Sequence, residues 1–194
     1  MSSSTTPKFK VKLVAKGFRQ EYDVDFDEIF SPVVKMTTLR FMLDIVVAEI
    51  LEKTTFLHGD VKEEIYMEQP KGFVTSGQEH LVCKLKKILY GLKQASRQWY
   101  KKFDNFIQSV GFSKSNEDHC LFTKPTRDGS PIFLIIYVDD MLLSDRHTGA
   151  KLVQQLRLKF AMKDFGPARH ILGMKISRNR NRKQLFLSQT DYIG

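Results

Sequence analysis

From Lys8 to Arg19 apolar and basic positions alternate, with Phe9, Val11 and Leu13 on one face and Lys8, Lys10 and Lys12 on the other. A period of two predicts a half-buried strand with a basic outer face, turning at Gly17. Ser31-Pro32 breaks the chain, and from Thr37 the period changes. Leu39, Met42, Leu43, Val46, Val47, Ile50 and Leu51 keep helical spacing, with Thr37 or Thr38 as the N-cap. No Gly, Pro or Asn stops that helix before Lys53, although β-branched Thr54 and Thr55 favour an extended chain from there.

Ile65-Tyr66-Met67 reads as a short strand between Gly59 and Pro70-Lys71-Gly72, and Leu81 to Leu85 is a second apolar run. Ser96 is a good N-cap for a helix whose face is Trp99, Phe103, Phe106, Ile107 and Val110, closed by Gly111. Cys120 to Thr123 and Ile132 to Val138 flank Arg127-Asp128-Gly129, which predicts a hairpin. A further helix is expected from about Thr148 to Phe160, and a further hairpin should pair Ile171 to Ser177 with Leu185 to Ser188 across the basic turn Arg178 to Arg182. Strands and helices mixed with hairpin turns, rather than βα alternation, predict an α+β fold with a mainly antiparallel sheet.

Composition narrows the class. The chain has 194 residues, 42% of them hydrophobic, enough for one ordinary domain or two small ones sharing a core. Lys+Arg 31 against Asp+Glu 22 gives a net charge of +9, which points to a polyanionic partner, nucleic acid or an anionic membrane surface, without separating them. No apolar run reaches the roughly 18 residues that span a bilayer, so no membrane segment is expected. Met1 to Thr6 lacks the basic and apolar regions of a signal peptide and reads as a disordered tail ending at Pro7. Cys83 and Cys120 are too few and too far apart for a disulfide scaffold or a four-cysteine zinc site. They read as core thiols in a reducing compartment.

The segment from Ile132 to Leu143 carries the strongest chemical signal. Asp139 and Asp140 interrupt a buried-strand pattern, where ionised carboxylates are costly unless paired or metal-bound. At the tip of a tight hairpin both would face one crevice, an arrangement suited to magnesium with substrate phosphates; the alternative is a solvated turn. A second block, Leu89 to Tyr100, sets Gly91 before a helix with Lys93, Arg97, Lys101 and Lys102 near its start and aromatics interleaved. Nucleic acid or a triphosphate could lie there; the alternative is a solvated basic face over a core of Trp99 and Phe103.

Taken in order, these segments resemble the reverse transcriptase of copia-type LTR retrotransposons over nearly the whole chain, Lys8 to Ile193. The likeness rests on Leu13-Val14-Ala15-Lys16-Gly17, Phe30-Ser31-Pro32-Val33-Val34, Phe56-Leu57-His58-Gly59-Asp60, Ile65-Tyr66-Met67-Glu68-Gln69-Pro70, the Leu89 to Tyr100 block, Tyr137-Val138-Asp139-Asp140, Leu172-Gly173-Met174 and Leu187-Ser188-Gln189. The resemblance implies a fingers-and-palm polymerase module. Its fingers would run over about 8–50, its palm over about 53–170 and a primer-grip hairpin over about 171–189, after a tail at 1–7. It also implies magnesium, with manganese as a substitute, positioning a deoxynucleoside triphosphate against a primer 3′-hydroxyl on an RNA or DNA template. By the same match Asp139 and Asp140 are catalytic metal ligands. Phe56 lies beneath the sugar, with plain core packing as its alternative. Gly91 and Gln94 sit beside the incoming nucleotide, and Lys10 and Lys12 face the triphosphate. Lys93, Arg97 and Tyr137 meet primer or template, and Gly173 and Met174 form the primer grip.

The chain departs from the family pattern at two positions. Lys12 stands where the family usually has Arg, which weakens a bidentate phosphate grip. Leu51 occupies the position of the third metal-ligand Asp, as expected if about half a dozen residues, one strand's worth, were lost before Phe56. The central palm strand is then missing or rebuilt from the helix end. Glu52 is one residue out of register for replacing that Asp, since successive strand side chains face opposite sides. Impaired polymerase activity is therefore expected, with a non-catalytic nucleic-acid-binding remnant or a translated relic as the alternative. The thumb, RNase H, protease and integrase segments would belong to the rest of the polyprotein, and the setting would be intracellular, in a cytoplasmic virus-like particle or the nucleus.

Overall fold

The computed structural model describes residues 13–45, 50–53, 63–127, 129–138, 140–144, 149–160, 163–164, 169–179, 181–182 and 184–193. The expected tail, Lys10, Lys12, Phe56, Asp60 and Asp139 lie outside the described residues.

A short 3₁₀ turn, Gly17–Arg19, precedes α1 (Met36–Ile45), β1 (Ile50–Lys53), β2 (Tyr66–Glu68) and β3 (Val82–Lys84). Next come α2 (Ala95–Ser109), β4 (Ser113–Lys114), β5 (Leu121–Lys124), β6 (Ile132–Tyr137) and β7 (Asp140–Ser144). The chain continues through α3 (Gly149–Phe160), β8 (Lys163–Asp164), β9 (His170–Ile171), β10 (Met174–Asn179), β11 (Gln184–Ser188) and α4 (Thr190–Ile193). The principal sheet has six strands in the order β4-β5-β6-β7-β1-β8, beside a three-stranded sheet β11-β10-β9 and the pair β2-β3. Every ladder between these strands is antiparallel. The fold is α+β.

β6 shows why the sheet sits in the middle. Ile132, Leu134, Ile135 and Ile136 are all buried, and a strand buried at consecutive positions must be covered on both faces. Trp99, Phe103 and Ile107 of α2 join Leu152, Leu156 and Phe160 of α3 in the same core. Trp99 meets Phe160 edge-on with ring centroids 5.0 Å apart, a geometry that adds about 1 kcal/mol to plain area burial.

Several elements differ from expectation. Leu13 and Val14 are exposed, and the segment makes a single bridge, Val14 to Tyr90, in place of a continuous strand over its described part. Thr37 and Thr38 lie inside the first turn of α1. The chain enters that helix through Lys35, whose amide donates to Asp118 Oδ2 at 2.9 Å and whose carbonyl accepts from Leu39 N–H at 3.1 Å. Ser96 likewise falls within α2, with Gln94 at the cap.

The largest correction is at Ile50–Lys53, which is strand and not the end of a helix. The apolar residues from Ile45 to Leu51 satisfy either period, and two ladders, to β7 and to β8, decide for the extended form. Ile171 also changes partner. The chain reverses at Leu172-Gly173, so Ile171 pairs with Met174 while β11 pairs with β10.

Cys120 is buried as expected, whereas Cys83 is partly exposed in β3. Burial, then the neighbouring Asp118 carboxylate, pushes the Cys120 thiol up to about 12. Two outcomes follow. At pH 8 a thiol reagent should modify Cys83 and spare Cys120 until the chain unfolds. Unfolded cysteine deprotonates near 8.5, so from about pH 9 to 12 the native state binds more protons than the unfolded state and stability should fall with rising pH. Equal labelling of both thiols in the folded chain would contradict this burial.

Candidate active site

The ladder between β6 and β7 pairs Tyr137 with Asp140, and Val138 turns the chain out of β6. Val138 has φ 53°, the left-handed region that β-branched residues avoid. Its carbonyl accepts a hydrogen bond from the indole N–H of Trp99 at 2.8 Å. Asp140, partly buried, opens β7.

On the other edge of β7 the register sets Lys53 opposite Asp140, Glu52 opposite Met141 and Leu51 opposite Leu142. Directly opposed residues share a face of the sheet and neighbours along a strand alternate. Positions 51 and 53 therefore lie on the face of Asp140, and position 52 lies on the other. Among the described residues no three His, Cys, Asp or Glu side chains gather into a metal-binding group.

The start of α2 holds a polar clasp. Gln94 is fully buried; its Nε2 donates to the Asp25 carbonyl at 2.9 Å and its Oε1 accepts from Gln20 Nε2 at 3.1 Å. Lys93 N–H donates to Gln20 Oε1 at 2.8 Å, and its ammonium lies 4.7 Å from the centre of the Phe26 ring. Arg97 donates to the Phe30 carbonyl at 3.1 Å and pairs with Glu28. Lys93, Gln94 and Arg97 all engage the segment from Gln20 to Phe30.

Just upstream, Ala15 N–H donates to the Tyr90 carbonyl at 2.6 Å. Gly91, at φ 91°, and Gly17 let the two backbones touch. An open cavity of about 1020 Å³ lies alongside, lined by Leu13, Ala15, Tyr66, Met67, Leu85 and Leu92. Gly173, at φ 74°, sits in the exposed turn before β10, whereas Met174 is buried in the core.

Residues 2–194 match the family described as reverse transcriptase (RNA-dependent DNA polymerase). The chain belongs to that family. It is 53% identical over 194 residues to the retrovirus-related Pol polyprotein from transposon TNT 1-94 of Nicotiana tabacum, covering 96% of this chain and 15% of that polyprotein. It is 36% identical over 200 residues to the Pol polyprotein from transposon RE1 of Arabidopsis thaliana, covering 99% of this chain and 13% of the relative. The transposon Ty1-DR4 Gag-Pol polyprotein of Saccharomyces cerevisiae is 28% identical over 79% of this chain, which spans 10% of that polyprotein. These are copia-type Pol polyproteins, and the chain corresponds to their reverse transcriptase domain. No solved structure matches the chain. Among the described residues no helix is long and apolar enough to cross a membrane.

Sequence reading missed Gln20, Asp25 and the partner of Trp99. A buried indole N–H requires an acceptor, so that a partner exists was legible; which carbonyl supplies it was not.

Proposed function

We propose that the chain is the fingers-and-palm part of an RNA-directed DNA polymerase domain, which holds a primer–template and a deoxynucleoside triphosphate and in this copy transfers nucleotides at or near background. The supporting observation is the β1–β7 register, with Lys53 and not an acid across from Asp140. In the full family site, magnesium would join the Asp139-Asp140 pair and a third carboxylate, polarising the primer hydroxyl and the leaving pyrophosphate. Without that third carboxylate the chain retains the binding half of the function.

In this reading Lys10 and Lys12 meet the triphosphate, Phe56 underlies the sugar, and Tyr137 and Gly173 lie along the primer. Gln94, bonded at both ends of its carboxamide, supports the nucleotide site through the segment it holds, and Lys93 and Arg97 do the same. Met174 supports the Gly173 turn from the core.

Binding rests on distributed Lys and Arg contacts to phosphates, so it should survive the loss of catalysis with slight sequence preference. If about three phosphates are neutralised, affinity for a primer–template should fall roughly fortyfold between about 50 and 200 mM salt. Fluorescence anisotropy measures this directly. Affinity indifferent to salt, or no binding at either concentration, would overturn the reading in favour of a relic.

A further inference from the structure

We propose that Trp99 is a positioning residue for the hairpin whose sequence carries the acids Asp139 and Asp140: its indole N–H holds Val138 in the left-handed conformation and so fixes the register in which Asp140 enters β7. The inference rests on the reading of those acids as the metal-binding pair.

Three observations carry it. Val138 is β-branched at φ 53°, a conformation that persists only where the surroundings impose it. The surroundings here include one directional bond, from an indole that is 1% exposed to the Val138 carbonyl at 2.8 Å, across 39 residues of chain. The donor is itself immobilised, since the Trp99 ring packs edge-on against Phe160 at 5.0 Å and, tilted, against Phe103 at 5.9 Å. Only two positions separate the paired Tyr137 and Asp140, which leaves no slack, so fixing Val138 fixes the register of Asp140 against Tyr137. α2 thereby braces two parts of the site at once, the Gln20–Phe30 segment through Gln94 and Arg97 and the hairpin through Trp99.

A double-mutant cycle on the full chain tests this with Trp99→Phe, which keeps a packed ring and loses the donor, and Val138→Gly, which adopts positive φ without strain. Amide hydrogen exchange at Tyr137, Asp140 and Met141 is read by NMR. Trp99→Phe alone should raise exchange at these amides about tenfold while leaving β10 and β11 unchanged. In the Val138→Gly background the same substitution should raise it only about twofold, because the turn no longer needs the bond. Equal effects in both backgrounds, or a rise spread evenly over all strands, would reduce Trp99 to core packing and overturn the proposal.

Should Trp99→Phe fail to fold, the chain's one tryptophan supplies a second measurement on the unmodified protein. Its single indole N–H resonance should exchange as slowly as the hairpin amides, and fast exchange would overturn the proposal. A manganese titration separates the two readings. Selective broadening of the amides of Val138 and Asp140 supports the acids as a metal pair, and its absence removes that assignment while the Trp99–Val138 coupling is judged independently.

Discussion

Primer extension by the unmodified chain on an RNA template with magnesium should stay at background, and inserting a strand with Leu-Asp-Val ahead of Lys53 should raise it by about three orders of magnitude. One metal carboxylate contributes several kcal/mol to stabilising charge in the transition state, and each 1.36 kcal/mol or so is tenfold in rate, so a loss of about 4 kcal/mol removes about a thousandfold. The β1 register sharpens the test. Lys53 stands opposite Asp140, so Lys53→Asp puts an acid on the correct face in the existing ladder and should recover a measurable fraction of the activity. Glu52→Asp should recover none, because position 52 pairs with Met141 on the opposite face. Robust incorporation by the unmodified chain that disappears in Asp139→Asn would sink this expectation and require another ligand. Gain from Glu52→Asp would show that the strand has a different register in solution.

Much of the fold was legible because its strongest signals are local. The α2 face at Trp99, Phe103 and Ile107 follows from a 3.6-residue period, and the β5–β6 and β10–β11 hairpins follow from short apolar runs around polar turns. What was not legible depends on distant partners. Ile50 and Leu51 fit a helix by spacing and became a strand because β7 and β8 offer two open edges. Ser96 has the right chemistry for a cap, yet the cap falls two residues earlier, at Gln94, which is clasped on Asp25 and Gln20. The site divides in the same way. Asp140 announces itself as a charge in an apolar run. For Lys93, Gln94 and Arg97, read as primer–template and nucleotide residues, the sequence reveals charge and polarity and not that Glu28, Phe30, Gln20 and Asp25 engage them.

Gly91→Ala should be among the most damaging single substitutions in the described chain, lowering stability by about 3 kcal/mol or more. Gly91 has φ 91°, and a β-carbon there would sit 2.1 Å from the Ala15 carbonyl oxygen. A β-carbon on Gly17 would lie 1.8 Å from the Gly91 carbonyl oxygen. Both obstacles are backbone atoms, so no side chain can rotate away and the two segments would have to part. In a domain of this size about 3 kcal/mol corresponds to a fall in melting temperature of roughly 6–12 °C. Gly77→Ala is the control: φ is 79° there but nothing lies within 4 Å, so only backbone strain of about 1 kcal/mol applies. Gly17→Ala and Gly91→Ala open the same contact, so the double variant should lose clearly less than the sum of the singles. Parting the segments also frees Gln20 from Lys93 and Gln94, and affinity for a primer–template should fall with the melting temperature. A Gly91→Ala protein that melts within a degree or two of the unmodified chain would mean that the Val14–Gly17 segment does not dock on the start of α2, and the support assigned to Gln94 would fall with it.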